Sequence, residues 1–139
     1  MMTIGSDRGG QARLSGWAIS WRLMFRVKDR ANALRKIDEV GRAVGREIEA
    51  STCERYWKDE SLWECSVRVP MANGSAAELL FDCVVLAIRL GSGWRIDGLG
   101  RDGDLAVFYG VFNAGPSCRP HVAGLAWGSF DLIAPPEET

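Results

Sequence analysis

Residues 17–27 read WAISWRLMFRV and alternate between apolar and mixed side chains. One set of alternate positions is apolar throughout: Trp17, Ile19, Trp21, Leu23, Phe25 and Val27. The other set carries Ala, Ser, Arg, Met and Arg. A period of two places successive side chains on opposite faces of a strand, so this stretch predicts a long strand with one face in the core. The remaining segments must therefore cover that face and pair with the edges of the strand.

The segment that follows completes a strand–helix–strand unit. Apolar residues at helical spacing predict a helix over Arg30–Gly45, with Asp29 as its N-cap and a glycine at its end. A second strand is predicted over Glu47–Trp57.

A second unit of the same order comes next, with a strand over Leu62–Val69, a helix over Ala76–Leu90 and a strand over Trp94–Leu99. Ser75 begins a Ser-Ala-Ala-Glu sequence that is typical of a capping box. The helix is apolar nearly all round and is interrupted by Glu78, Asp82 and Arg89. Such a helix needs a cover beyond its own sheet, which we expect from the C-terminal segment or from a second copy of the chain.

The order βαββαβ resembles the ferredoxin-like fold. The resemblance implies an α+β sandwich, in which an antiparallel sheet of four strands carries two helices on one face. We expect a flexible N-terminal arm over 1–16 and a single domain over 17–133, followed by an acidic tail over 134–139. Within the domain, residues 17–99 form the core and residues 100–133 a C-terminal β extension.

A hairpin joins the two units. A two-residue loop would pair Tyr56 with Trp63 and Arg55 with Glu64, and both pairs are favourable across antiparallel strands. A shift of one residue would instead set Glu54 opposite Glu64, so we expect the first register.

The composition excludes several classes of protein. The chain has 139 residues, a net charge of −1, 47% hydrophobic residues and 25% charged residues, as in an ordinary globular domain. Ten Lys or Arg residues oppose four Asp or Glu residues in positions 1–46, but seven oppose fourteen in positions 47–139, which disfavours nucleic acid as the partner. Arg22, Arg26 and Arg68 could line an open sheet face. The positions at which RNA-recognition motifs expose aromatic residues carry Ser20, Arg22 and Met24 here.

The location follows from what the sequence lacks. The chain contains neither a long apolar run for a membrane span nor an apolar signal segment at its start, so we expect a cytoplasmic protein without membrane contact. Fourteen arginines against three lysines favour a bacterial source.

The sequence contains only weak motifs for catalysis or for binding a metal or a cofactor. Four cysteines without a CxxC spacing and a single histidine give no reason to expect a metal, a cofactor or a catalytic residue. Residues 98–103 fit GxGxxG, but a strand-like segment follows, so the glycines indicate a hairpin turn rather than a phosphate site.

The hairpin between the units is the most distinctive surface. Positions 47–64 hold six acids and two bases with aromatic residues between them, a combination that suits docking to a basic protein. The expected partner-binding residues are Glu54, Trp57, Asp59, Glu60 and Trp63. The alternative is a solvated hairpin with Trp57 folded back.

These features are similar to those of small bacterial immunity proteins, which neutralise a toxin by plugging its active site. The similarity implies a non-enzymatic domain with a basic toxin domain as its protein partner. One alternative is a small-ligand-binding or enzymatic domain with a pocket under the C-terminal segment, near Arg95, Asp97, Tyr109 and His121. A third possibility is a structural homodimer or larger oligomer formed through the second helix.

Overall fold

The structure, a computed structural model, describes residues 13–98, 105 and 108–136. The expectations for residues 1–12, for the turn at 101–104 and for the last residues of the acidic tail, 137–139, lie outside the described residues.

Two helices and eight strands make up the described residues. The elements are β1 Ala18–Arg26, α1 Arg30–Val44, β2 Glu49–Arg55, β3 Leu62–Pro70, α2 Ala76–Leu90, β4 Gly91–Ser92, β5 Arg95–Asp97, β6 Tyr109–Asn113, β7 Arg119–Pro120 and β8 Leu125–Ile133. The predicted helices and the long strands therefore form close to where the sequence places them.

Local signals determine where both helices begin. The Asp29 carboxylate accepts a hydrogen bond from the Asn32 N–H at 2.9 Å, and α1 ends at Gly45 with a φ of 69°. At the start of α2 the capping box is complete, because Ser75 accepts from the Glu78 N–H and the Glu78 carboxylate accepts from the Ser75 N–H. These bonds satisfy backbone groups that a helix end leaves free.

The strands form one antiparallel six-stranded sheet in the order β2-β3-β1-β8-β6-β5, and β4 pairs separately with β7. The α+β class is confirmed, but the ferredoxin-like arrangement is not. A βαββαβ sheet would use the strand after α2 as its fourth strand, whereas β5 lies at the far edge and β8 lies beside β1. β8 has nine residues and pairs with β1 from Ala18 to Phe25, while β5 has only three residues, so β8 completes a much longer hydrogen-bonded ladder.

The core lies between the helices and one face of this sheet. The buried residues of β1 on that face are Ile19, Trp21, Leu23 and Phe25, and they belong to one cluster with buried residues of α1 and α2. An aromatic group extends the core towards the C-terminal strands, since Trp21 and Trp94 pack edge to face with ring centroids 5.6 Å apart. The alternation in residues 17–27 therefore identifies the buried face correctly.

We call the opposite side of the sheet the open face. Register places Ser20, Arg22, Met24 and Arg26 of β1 on it, together with the residues paired to them on β3 and β8. Arg22 lies between Ser66 of β3 and Ser129 of β8.

The predicted hairpin register is wrong. Cys53 pairs with Cys65, Glu54 with Glu64 and Arg55 with Trp63. The observed register buries Cys53 beside Cys65 on the core face. A shift of one residue would move every side chain of β2 to the opposite face of the sheet, so burial decides the register. The like charges across the pair are offset, since Glu64 forms an ion pair with Arg22 of β1.

No helix among the described residues is long and apolar enough to cross a membrane.

Candidate functional site

The turn between β2 and β3, residues 56–61, is called the hairpin tip below. Trp57 projects from it with 79% of its surface exposed. The Tyr56 ring lies 6.2 Å from the Trp57 ring, and the Lys58 ammonium lies 4.9 Å from the ring centroid. The tryptophan is therefore an accessible apolar anchor with one cation against its face.

Hydrogen bonds hold the backbone of the tip. The Tyr56 N–H donates to the Leu62 carbonyl at 2.8 Å, and the Leu62 N–H donates to the Asp59 carbonyl at 3.0 Å. The Asp59 carboxylate accepts from the Ser61 N–H at 2.9 Å and from the Ser61 hydroxyl at 2.7 Å. Arg26 of β1 donates to the same hydroxyl at 2.5 Å, which ties the tip to the sheet. Trp57 is thus presented by a braced turn.

The predicted acids surround this anchor. Glu54, Asp59 and Glu60 are exposed. Hydrogen bonds from Ser61 lower the pKa of Asp59, so this carboxyl stays charged at neutral pH. Two cations accompany them in addition to Lys58: Arg26 lies 3.9 Å from the Asp59 carboxylate, and Arg55 donates to the Glu60 carbonyl at 2.8 Å.

Trp63, which the sequence groups with these residues, lies elsewhere. It is 9% exposed and belongs to the core cluster, with the Arg55 guanidinium 5.0 Å from its ring centroid. Its place on the core face of β3 makes it a support for the hairpin rather than part of the accessible surface.

The alternative ligand residues are only partly brought together. Asp97 pairs with Tyr109, and Arg95 pairs with Val111, so Arg95, Asp97 and Tyr109 share the open face at the β5 edge. His121 lies beside the end of α2, where its N–H donates to the Leu90 carbonyl at 2.9 Å. The C-terminal extension contributes β6 and β8 to the main sheet and pairs β7 with β4.

A shallow cleft on the open face contains residues that sequence reasoning did not group. It has a volume of about 430 Å³, and its lining includes Ser20, Arg22, Tyr109, Ser129 and Asp131. Burial raises the pKa of Asp131 above its ordinary value. The alternation in β1 places Arg22 on this face, but no local signal in the sequence places β8 next to β1.

Arg22 also links this cleft to its neighbours. Its guanidinium forms an ion pair with Glu64 and lies 5.7 Å from the centroid of the Trp127 ring. The lining of the cleft therefore includes the Arg22 guanidinium, which already has an anionic partner, and the Asp131 carboxylate.

The described part of the chain brings no three His, Cys, Asp or Glu side chains together in a group that could hold a metal ion. Cys53 and Cys65 approach within 3.1 Å as free thiols.

Comparison with known proteins found no match to a family model, to a curated protein or to a solved structure. The geometry of the chain therefore carries the functional argument.

Proposed function

We propose that this protein is a non-enzymatic recognition domain that binds a protein partner through the hairpin tip. The observation that carries the proposal is the 79% exposure of Trp57 on a turn that hydrogen bonds hold in place.

Exposure of a tryptophan makes binding favourable for two reasons. A large aromatic side chain buries much apolar surface in a partner's pocket, and tryptophan is enriched among the residues that dominate interface energies. A braced turn also loses little conformational freedom on binding, so less of the interaction energy is spent on ordering.

The charges indicate the kind of partner. Glu54, Asp59 and Glu60 are exposed at or beside the tip, where Arg26, Arg55 and Lys58 supply an equal number of positive charges. The tip therefore offers individual carboxylates to basic groups of a partner rather than a net negative field. A basic toxin domain fits this description, and we propose an immunity protein as the specific form of the function.

The ferredoxin-like relationship is part of the same proposal. It is supported by the adjacent order β2-β3-β1 and by two helices that share one core, while the position of β5 counts against it.

The partner to test first is the protein encoded immediately upstream of this gene. Its C-terminal domain would be titrated calorimetrically with the wild-type protein and with Trp57→Ala, which we expect to weaken binding at least about 30-fold, as for an interface hot spot. The double variant Glu54→Lys/Glu60→Lys should weaken binding more at low salt than at high salt, because exposed charges are screened. Asp59 is left in place, since its carboxylate holds the turn.

Leu34→Ala is the matched control, since Leu34 is an exposed apolar residue on α1 and does not belong to the tip, residues 56–61. Equal affinity of the wild type and Trp57→Ala would remove the tip as the site. An upstream metabolic enzyme that does not bind would contradict the immunity function.

A second candidate function, small-ligand binding, is favoured by the cleft around Arg22. The anionic group of a small molecule would replace Glu64 as the partner of Arg22, while serine and tyrosine hydroxyls bind its other polar atoms. Thermal-shift measurements with millimolar citrate and inorganic phosphate would test it. A shift should disappear in Arg22→Ala and persist in Arg68→Ala, a neighbour on the same face; no shift with any small anion contradicts this candidate.

A further inference from the structure

Two cysteines face each other across the two strands of the hairpin, below its tip. Cys53 of β2 pairs with Cys65 of β3, and their Sγ atoms lie 3.1 Å apart as free thiols. Both side chains lie on the core face, where Cys53 is 7% exposed and Cys65 is fully buried. Neither residue belongs to the hairpin tip or lines the cleft beside Arg22.

The strand pairing places the two cysteines where a disulfide bond fits. Hydrogen-bonded and non-hydrogen-bonded residue pairs alternate along an antiparallel ladder. The Tyr56 N–H donates to the Leu62 carbonyl, so these two residues form a hydrogen-bonded pair. Three positions further along each strand, Cys53 and Cys65 therefore form a non-hydrogen-bonded pair. The Cα atoms of such a pair lie about 4.5 Å apart, within the range of about 4.4 to 6.8 Å that disulfides span.

The sulfur atoms have only a short distance to move. A disulfide bond is about 2.05 Å long, so the two Sγ atoms would have to approach each other by about 1 Å. Rotation of the two side chains can supply this movement without a change in the strand pairing.

The two thiols differ in how a reagent can reach them. β2 is an edge strand that pairs on one side only, whereas β3 lies between β2 and β1. An edge strand opens locally more easily than a strand that is paired on both sides. Burial raises the pKa of the Cys65 thiol, and the hydrogen bond with Cys53 raises it further, so this thiol ionises only when water reaches it. Cys53 is therefore the first thiol to react, and the opening of β2 that exposes it also admits water to Cys65.

We propose that Cys53 and Cys65 form a redox-active dithiol, which a small-molecule disulfide such as oxidised glutathione converts to a covalent bond between β2 and β3. The Cys53 thiolate attacks one sulfur of the small disulfide, which forms a mixed disulfide and releases one small thiolate. The Cys65 thiolate then attacks the Cys53 sulfur, which forms the protein disulfide and releases the second small thiolate. The two released thiolates take up the two protons that the cysteines lose. One small disulfide is thus reduced to two thiols while one protein dithiol is oxidised.

The contact between the two sulfurs favours a redox role over a purely structural one. A buried cysteine often serves as a small apolar residue, and Cys83, fully buried on α2, fits that description. Completion of the exchange, by contrast, requires a second thiol within reach of the first mixed disulfide. Cys53 and Cys65 meet this requirement on adjacent strands.

The bond would hold an edge strand of the sheet in place. It closes the loop of residues 53–65, which contains the hairpin tip, and it joins β2 covalently to a strand inside the sheet. Amide exchange in β2 should therefore be at least about tenfold slower in the oxidised protein than in the reduced protein. The proposal does not depend on partner binding, because it concerns the strands and not the accessible surface of the tip.

Peptide mapping of the oxidised protein is the first experiment. Reduced wild-type protein would be incubated with about 5 mM oxidised glutathione, quenched in acid, alkylated and digested with trypsin. Trypsin separates the two cysteines onto peptides 47–55 and 59–68, because it cleaves after Arg46, Arg55, Lys58 and Arg68. We expect these two peptides to be recovered mainly as a linked pair that lacks two hydrogens, while circular dichroism shows that the chain stays folded.

Single variants test the order of the two steps. Cys65→Ala should stop at the mixed disulfide, with glutathione on Cys53. Cys53→Ala should acquire glutathione on Cys65 at least about ten times more slowly, because β3 is paired on both sides. Cys118→Ser is the matched control and should form the linked pair at the rate of the wild type, since Cys118 lies outside the hairpin.

Three outcomes would overturn the proposal without requiring any variant to fold. The linked pair could be absent from the folded wild type, it could form only in urea, or glutathione could remain on Cys53 as a stable mixed disulfide. Each would leave Cys53 and Cys65 as packing residues. Unchanged amide exchange in β2 after oxidation would overturn the claim that the bond holds the edge strand.

Discussion

The hairpin tip and the outer side of α2 both leave large apolar side chains in water, but their surroundings differ. The outer side of α2 is called the α2 stripe and consists of Ala77, Phe81, Val84, Val85 and Ile88. At the tip one tryptophan stands among charges of both signs, on a turn held by hydrogen bonds from Ser61 and Arg26. On α2 apolar residues follow one another along a regular helix, with charges on a single edge. At the tip the charges stand beside an exposed anchor, whereas the charges beside the stripe bind other groups of the chain: Asp82 pairs with Arg46, and Arg89 donates to the Val44 carbonyl.

The two regions expose apolar side chains for different reasons. The tip exposes Trp57 because a turn at the end of a hairpin has little structure around it to pack against. The stripe is exposed because a helix that is apolar all round can bury only one side in its own domain. Variants should therefore affect the two regions independently.

The largest effect, on the free energy of unfolding, should come from replacing Trp63, the buried residue that supports the hairpin. Trp63→Ala removes a core ring and the platform beneath Arg55, and should lower the free energy of unfolding by about 3 kcal/mol. Trp57→Ala, six positions away, should change it by less than about 0.5 kcal/mol, because the side chain is exposed. Urea unfolding followed by circular dichroism measures both.

The two substitutions remove the same side chain, so each is the control for the other. Similar losses of stability would mean that Trp57 packs against the domain in solution, and the tip would no longer qualify as an accessible anchor.

A smaller effect concerns how often the strand β2 and the helix α2 unfold locally and expose their cysteine thiols. Cys65 of β3 and Cys83 of α2 are buried, and burial raises the pKa of both thiols, so few thiolates form at pH 8. Cys53 lies on β2, which is an edge strand paired on one side only. We expect Cys53 to react with a maleimide at least about ten times faster than Cys83, because an edge strand opens more easily than a core helix.

Pulsed labelling followed by peptide mass spectrometry would give both rates, with the less buried Cys118 as the fast reference. Faster labelling of Cys83 than of Cys53 would contradict this ranking and point to a loosely held α2.

The sequence predicts local structure well where the signal is local. The alternation of residues 17–27 identifies the buried face of β1, and Asp29 and Ser75 mark where both helices begin. The hairpin register could not be derived from cross-strand charges, because Arg22 of a third strand offsets the Glu64 charge and burial of Cys53 decides the pairing.

Long-range order was less predictable. Nothing in residues 125–133 indicates that they would pair with β1, so the cleft beside Arg22 could not be assembled from the sequence. The hairpin tip was predictable because it is continuous in the chain, although parity alone would have assigned Trp63 to the core. The α2 stripe could be predicted from its composition, but its exposure depends on where β8 lies.

The smallest expected effect concerns the carboxylates that stabilise the hairpin tip and the start of α2. Asp59 at the tip and Glu78 at the start of α2 both accept hydrogen bonds from a serine, and those bonds lower the pKa of each from the ordinary values of 3.8 and 4.5. For an acid whose pKa is lowered by folding, the stabilising contribution is present above the unfolded pKa and is lost as the pH falls through the folded pKa. We therefore expect the Ser61 and Ser75 amide resonances to titrate with midpoints below 3.8 and 4.5, respectively.

Lowering the pH should change amide exchange differently at the hairpin tip and at the start of α2. Protonation of Glu78 frays one turn of a helix that the core still holds, so amide exchange should rise only near Ser75. Protonation of Asp59 removes the bonds that order the turn, so exchange should rise at Ser61 and the Trp57 fluorescence should change with it. Asp59→Asn should abolish the Ser61 titration and leave that of Ser75 intact. If the Ser61 amide titrated with a midpoint at or above 3.8, Asp59 would not stabilise the hairpin tip. The tip would then not differ from the start of α2 in the way proposed.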